Sequence, residues 1–414
     1  MTPQLQEGIY HAPGVRPDQC FGIMFLRAAR GLTAPEIGTA FQTLYSMYQN
    51  LKQGQVKDIP GATVPSGDLT VLVGYGPNVF KLPDGGRTLP LDLGAKNQFR
   101  SARPTGGGPL LLGSGLSYAD DVQFNPATEE IALQFIAKTE LAVNRAVVET
   151  WKVLQDLTDH KTGESPLLIT RFYTGFQRDD ARSWIDFHDG ISNMKSSERI
   201  QAIAIKEDQT SPEDKWTVGG TYLAFLRLPV DLTVWRKLSR QQQEIIVGRD
   251  KVSGCPLETI DNDGNPVVQT GCPFTGTREV THPENTAYRE LPRVPLESPL
   301  NVSHTHRANQ NKAEDVGSRN SLRVFRQGYE FLEAIDSTPG FRAGLNFVSF
   351  QDTPERLLRM LTQPTWLGGV NFGGGDNAQL PGMERLITVR AGGVFLVPPV
   401  VEKEAFPGAK IFGL

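Results

Sequence analysis

Cysteine is scarce in this chain: Cys20, Cys255 and Cys272 are the three among 414 residues. So few cannot build a disulfide-stapled scaffold, and an odd count suits a reducing compartment. No apolar run reaches membrane-spanning length, so no membrane association is expected. The opening stretch MTPQLQEGIYHAPGVRPDQC shows neither the basic start nor the apolar core of a secretory signal, which points to a cytoplasmic protein. A basic excess is missing too. The formal net charge is −4 and no Lys/Arg run stands out, so a nucleic-acid surface is not expected.

What is present describes a folded globular chain. Apolar residues make up 39% and charged residues 21%, outside the range of disordered or fibrous sequences. At 414 residues the chain is too long for one ordinary core, so two domains are expected. Their expected bounds are 1–180 and 181–414.

Both halves follow one pattern. The first opens with CFGIMFLRA, short enough for a buried strand. A helix follows from Thr33, where Thr33 and Glu36 form a capping box, with Ile37, Phe41, Leu44, Tyr45 and Tyr48 at helical spacing. LTVLVGYG and EIALQFIAK read as strands, then a helix carries Leu141, Val148, Trp151 and Leu154 before a last strand near LLITRFYTGF. In the second half GGTYLAFLRL is a strand and Asp231 caps a helix bearing Trp235, Leu238, Ile245 and Ile246. SLRVFRQGYEF and GLNFVSF read as strands. Asp352, Pro354 and Glu355 start a further helix, and ERLITVRAGGVFLVPP ends the set. Strand, helix, strand, strand, helix, strand, twice over, predicts an α+β fold of two tandem ferredoxin-like (split βαβ) domains. The stretch from Gly248 to Asn320 interrupts the second unit, and so long an insertion tends to form a site.

Motif by motif, most chemical signals are thin. TGGGPLLLGSG lacks the Lys-Ser/Thr of a phosphate loop, and NFGGGDN is equally bare. DNDGNP begins like a calcium loop but lacks a properly placed Glu, so a hairpin turn is expected. SHTHRAN places His304 and His306 two apart; on an extended segment both face one way, and Cys255 and Cys272 would complete a zinc set, although neither sits in a C-x-x-C pair and their separations fit no standard ribbon. A lone His or a loop Asp before Gly, such as Asp189 in WIDFHDGISN, is ordinarily structural.

The ordered combination is more specific. DFHDGISN, then SHTHRAN, then SLRVFRQGYEF resembles the dye-decolourising peroxidase family, haem enzymes built from two ferredoxin-like domains in a dimeric α+β barrel arrangement. The resemblance extends to DLTVLVGYGPNVF, GGTYLAFLRLPVDLTVW, QQEIIVGRDKVSGCPL and GGVFLVPP, and so covers nearly the whole chain. It implies one haem b per chain, with His304 as proximal iron ligand, Asp189 as distal acid/base and Arg326 as distal arginine. Two residues depart from the pattern: Asp186 stands where the motif has its first Gly, and Gln327 where it has a second Arg.

These residue types suit the chemistry. A carboxylate such as Asp189 takes a proton from hydrogen peroxide and returns it to the leaving oxygen. Arg326 is a permanent positive charge for the developing anion. Imidazole is a haem-iron ligand whose second nitrogen needs an acceptor; Glu384 is the candidate there, with a surface salt bridge as its competing role. Arg249, in VGRDK, is either a partner for a haem propionate or an ordinary surface arginine. The resemblance further implies a bulky dye or phenol as small-molecule reducing substrate, with Tyr329, Trp366 and Trp235 as candidate electron relays, although aromatics at such spacing are commonly core. A monomer or homodimer is expected. The alternative within the same fold is a protein for haem storage, sensing or iron release.

Overall fold

A computed structural model describes residues 4–13, 15–94, 99–101, 110–112, 129–189, 191, 193–272, 292–308, 317–318, 321, 323–361 and 386–414. In the first half β1 (Cys20–Ala28), α1 (Ala34–Lys52) and β2 (Thr70–Tyr75) lead to the short α2 (Leu91–Gly94) and a small hairpin, β3 (Phe99–Ser101) with β4 (Leu110–Leu112). β5 (Ile131–Ala137), α3 (Glu140–Asp156) and β6 (Leu167–Phe176) complete it. The second half begins with α4 (Ser196–Ile203), β7 (Thr221–Pro229), α5 (Leu232–Trp235) and α6 (Arg240–Val247). A hairpin of β8 (Leu257–Ile260) and β9 (Pro266–Val268) follows, then α7 (His304–Ala308). β10 (Phe325–Arg326), β11 (Tyr329–Ala334), β12 (Phe341–Gln351), α8 (Glu355–Leu361) and β13 (Ala391–Val397) come next, before a short 3₁₀ turn at Ala409–Phe412.

The principal strands join in one nine-stranded antiparallel sheet that closes on itself. The first half contributes β6–β1–β5–β2 and the second β13–β7–β12–β11; each runs fourth, first, third, second in its own chain order. The two seams are thin, with Glu330 opposite Phe176 at one and Leu396 opposite Tyr75 at the other. Side chains reinforce both. Gln6 Nε2 donates to the carbonyls of Val73 (3.1 Å) and Pro398 (3.0 Å) across one seam, and Asn346 Nδ2 donates to Thr174 O (2.9 Å) beside the other.

Closure explains why β1, β2, β5, β7 and β13 read as nearly unbroken apolar runs, since both of their faces are covered, whereas β6 is largely open to solvent. Phe21, Ile23 and Phe25 of β1 meet Phe225, Val348, Phe350 and Phe395 from the other half in one interior cluster. The alternating Met24 and Leu26 pack outward beneath α1 and α3 with Phe41, Leu44 and Leu154. Each such buried side chain contributes about 1.5–3 kcal/mol.

Local chemistry shifts two helices from expectation. The single helix expected after Asp231 is two, because Ser239 accepts from Gln242 N (3.2 Å) and Gln242 Oε1 accepts from Ser239 N (2.8 Å), starting α6 with its own capping box. Before α8, Thr353 Oγ1 accepts from Glu355 N (3.4 Å), while Asp352 is buried against Arg356 Nε (2.6 Å). The DNDGNP stretch is the expected hairpin turn, with Asp261 Oδ1 accepting from the backbone N–H of Asp263 and Asn265. The glycine-rich 371–377 lies outside the described residues.

Candidate active site

The loop after β6 is held by alternate residues pointing down. Ile185 and Phe187 pack on Val234, Trp235 and Leu238; Ile191 packs on Cys255 and Cys272; Met194 enters the barrel cluster. Between these anchors Asp189 is left exposed, facing a cavity of about 360 Å³. The backbone N–H of Asp189 donates to Ala181 O (3.0 Å), which fixes the carboxylate's starting point.

Arg326 lines the same cavity. Its placement is tied to the loop by Asn193, whose Nδ2 donates to Arg326 O (2.8 Å) and whose Oδ1 accepts from Arg326 N (3.3 Å). Residues far apart in sequence are thereby set in register. Asn193 is a positioning residue that sequence reasoning missed; a polar side chain two residues after a buried Ile was its only signal.

The two departures from the family pattern have physical explanations. Asp186 has φ +67°, the left-handed region where Gly is cheapest and Asp among the better-tolerated substitutes. Its carboxylate points away from the cavity chemistry, 3.6 Å from Lys251 Nζ and largely exposed, a contact worth little. Asp186→Gly is therefore expected to be neutral to stabilising by up to about 1 kcal/mol, with turnover unchanged; urea-unfolding midpoints check this. Gln327 is among the residues that line the cavity, and its side chain is engaged as a clamp: its Oε1 accepts from Tyr10 N (2.9 Å) and its Nε2 donates to Gly8 O (3.0 Å), binding the N-terminal segment beside β10.

His304 opens α7 and is half-buried. α6 ends at Gly248, whose α-carbon faces Ser303 and Thr305, the residues on either side of His304. The next residue, Arg249, is no surface arginine: it is 3% exposed and donates to Gly254 O (2.8 Å). Burial first, then the like charge of Arg326, push its guanidinium down to about 10. Two cations whose charges act on each other make a place for an anion. The step Gly248–Arg249 thus links the His304 segment to the Asp189–Arg326 cavity.

The zinc set is not formed. α7 is helical, so residues two apart diverge by about 200° instead of facing together. His306 is engaged at both ring nitrogens, accepting from Ser303 Oγ (3.0 Å) and donating to Pro292 O (3.3 Å). Cys255 and Cys272 form a disulfide, which corrects their reading as thiols. Among the described residues no cluster of three or more His, Cys, Asp or Glu is placed to hold a metal ion.

Of the candidate relays, Tyr329 lies in the barrel interior, stacked on Phe21 with ring centroids 4.4 Å apart. Trp235 is buried edge-on to Phe187 at 6.2 Å, beneath the Asp189 loop. Trp366 and Glu384 lie outside the described residues. A charged residue passed over in the YEF stretch, Glu330, also lines the cavity.

Comparison with known proteins bears on this arrangement. Residues 180–402, more than half of the chain, match the family model described as Dyp-type peroxidase, C-terminal. The chain belongs to the Dyp-type peroxidase family. Its α+β fold is similar to that of a DyP-type peroxidase from Cellulomonas bogoriensis, with TM-score 0.65 and 17% identity over 99% of this chain and 96% of that one. It is also similar to a Rhodococcus jostii DypB variant solved in complex with heme, with TM-score 0.57 and 16% identity over 96% and 97%. A curated relative, the deferrochelatase of Escherichia coli K12, is 24% identical over 263 residues, 62% of this chain and 56% of that protein. The chain therefore matches little more than half the length of that relative. Among the described residues no helix is long and apolar enough to cross a membrane.

Proposed function

We propose that this Dyp-family chain is a haem b-dependent peroxidase that reduces hydrogen peroxide and oxidises bulky dyes or phenolic compounds. The two halves of the sheet, 1–180 and 181–414, are read as two ferredoxin-like units of the dimeric α+β barrel type. The observation that carries the reading is the meeting of Asp189 and Arg326 at one cavity, from segments far apart in sequence.

The residues fit the cofactor. Arg249, buried with the charge of Arg326 bearing on it, suits a propionate; His304, beside the same Gly248–Arg249 step, suits the iron. Haem, when bound, supplies the redox-active iron. Asp189 takes a proton from the peroxide oxygen that binds and gives it to the oxygen that leaves. Arg326 stabilises negative charge as the O–O bond lengthens. Asn193 keeps the guanidinium and the carboxylate in register through the Arg326 backbone.

The deferrochelatase relatives favour a second reading, haem handling for storage, sensing or iron release with incidental peroxidase activity. Separate substitution of Asp189 and Arg326 distinguishes the two. A peroxidase loses turnover in both variants while retaining haem; a haem-handling protein keeps its slow peroxide reaction in both.

A further inference from the structure

Asp189 is exposed, so its carboxylate is placed chiefly by the backbone that carries it. That backbone is a tight loop, closed by Asp189 N donating to Ala181 O (3.0 Å) and Ser183 N donating to Phe187 O (3.0 Å). Ala181 and Asp186 take left-handed backbone angles within it, at φ +52° and +67°. Residues other than glycine keep such angles where their surroundings hold them there.

A turn from the second half of the chain supplies the hold. Residues 250–255 are closed by Asp250 N donating to Cys255 O (2.8 Å) and Gly254 N donating to Asp250 O (2.9 Å). Arg182 reaches this turn with both ends of its guanidinium. Its Nη1 donates to Lys251 O (2.7 Å) and Asp186 O (2.6 Å), and its Nη2 donates to Val252 O (3.0 Å). The planar fork spans the carbonyls of two consecutive residues, a shape that an ammonium lacks. The turn also accepts from Arg249 through Gly254 O (2.8 Å). The Asp189 loop and the arginine suited to a propionate therefore stand on one support.

His188 completes the contact. Its backbone pairs with that of Arg182, and its Nε2 lies 2.8 Å from Arg182 Nη2. An arginine nitrogen offers protons and no lone pair, so at that distance Nε2 is the acceptor. The ring is then neutral with its proton on Nδ1, an atom that is buried with no hydrogen-bond partner among the described residues. A second proton on the ring would set two cations 2.8 Å apart. Besides Arg182, the charges acting on the ring are Asp180 and Asp250, and each has its own arginine, Arg178 and Arg240. Lys251 turns its ammonium to Gln243 Oε1 (2.8 Å).

We propose that the Arg182–His188 pair positions Asp189: the guanidinium clasps the loop to the 250–255 turn, and it does so while the imidazole is neutral. Both are positioning residues that act through the Asp189 backbone. The inference rests on Asp189 being the acid/base of the preceding section. Burial first, then the Arg182 charge, hold the His188 imidazole below the ordinary histidine value, in keeping with a neutral ring.

The test uses the haemin-loaded full chain and reads its single-turnover reaction with peroxide per bound haem, beside thermal unfolding. Arg182→Lys keeps the charge and loses the fork. It should take up haemin and slow the peroxide reaction about 10²-fold, the cost of displacing a catalytic group by about 1 Å, with the KM for the dye unchanged. His188→Leu should show a loss of the same order. His188→Gln, which keeps an acceptor and takes up no proton, should recover most of it. As pH falls below about 6.5, the rate of His188→Gln relative to wild type should rise, since Asp189 is common to both. In spectra of nitrogen-labelled histidine before haemin is added, the His188 signal, identified by its absence from His188→Gln, should be that of the Nδ1–H tautomer. A His188 proton on Nε2, equal losses in His188→Leu and His188→Gln, or a lowered melting temperature in Arg182→Lys with its peroxide rate per haem intact would overturn the proposal. Should Arg182→Lys fail to fold, the pH dependence decides, and a flat ratio of His188→Gln to wild type overturns it. Failure of the underlying reading looks different: Asp189→Asn would then leave the peroxide reaction intact.

Discussion

Asp189→Asn is expected to lower peroxidase turnover by about 10²- to 10⁴-fold, the range for losing a positioned general acid/base, while haem uptake is unchanged. Asn keeps the size and the backbone hydrogen bond to Ala181 but accepts no proton from peroxide. The loop has anchors besides the carboxylate. Ile185, Phe187, Ile191 and Met194 anchor it from four buried positions, and Asn193 ties it to Arg326. The loss should fall on the reaction with peroxide, read in single-turnover mixing, and not on the affinity for the reducing dye. Arg326→Leu should show a comparable loss from the opposite side of the cavity, because removing a fixed charge from a developing anion costs about 10²–10³-fold. An Asp189→Asn protein with full turnover would transfer the chemistry to another group and favour the haem-handling reading.

The second large effect is expected at Gly248, which is not among the residues lining the cavity. Its φ is +86°, and a β-carbon there would lie 2.4 Å from Ser303 Oγ and 2.5 Å from Thr305 Oγ1. The left-handed backbone costs an L-residue about 1–2 kcal/mol, and forcing a methyl into packed atoms adds about 1–3 kcal/mol. Gly248→Ala should therefore destabilise by roughly 2–5 kcal/mol and weaken haem retention, because the residues pushed aside flank His304. Gly264, in the β8–β9 turn, has nearly the same φ, +83°, with nothing within 4 Å of a β-carbon. Gly264→Ala carries the backbone strain alone and should cost about 1–2 kcal/mol with haem retention intact. Urea unfolding with haem titration of both variants separates strain from collision. Equal effects at the two glycines would remove Gly248 from the support of His304.

Much of this chain was legible in the sequence because five of its strands, β1, β2, β5, β7 and β13, are covered on both sides. Runs such as CFGIMFLRA and GGTYLAFLRL announce buried strands, and their order with the intervening helices repeats. That the halves share one closed sheet was beyond reach, since each seam is a single residue pair plus Gln6 or Asn346. The break between α5 and α6 was present as Ser239 and Gln242 but was masked by continuous apolar spacing through Trp235, Leu238 and Ile246.

At the candidate site, Asp189, His304 and Arg326 were proposed through a resemblance, and the geometry adds a physical account of the two departures: φ +67° at Asp186 and the backbone clamp made by Gln327. Pairing of Cys255 with Cys272 needed coordinates, because a spacing of 17 residues says nothing of where two thiols point. His306 looked like half of a metal pair until the helical turn of α7 sent it to Ser303 and Pro292. Glu330 was hidden by its neighbours: between Tyr and Phe on a strand, only the alternation of faces shows that it leaves the core.

The most direct measurement is an absorption spectrum of the full chain titrated with haemin, before and after one equivalent of hydrogen peroxide, for wild type, His304→Ala and His306→Ala. The expected result is a Soret band in wild type and His306→Ala that shifts on peroxide addition and decays when a dye is supplied, and a lost or altered band in His304→Ala. No haemin uptake by wild type, or a His304→Ala spectrum identical to wild type, would contradict the placement of haem between His304 and the Asp189–Arg326 cavity.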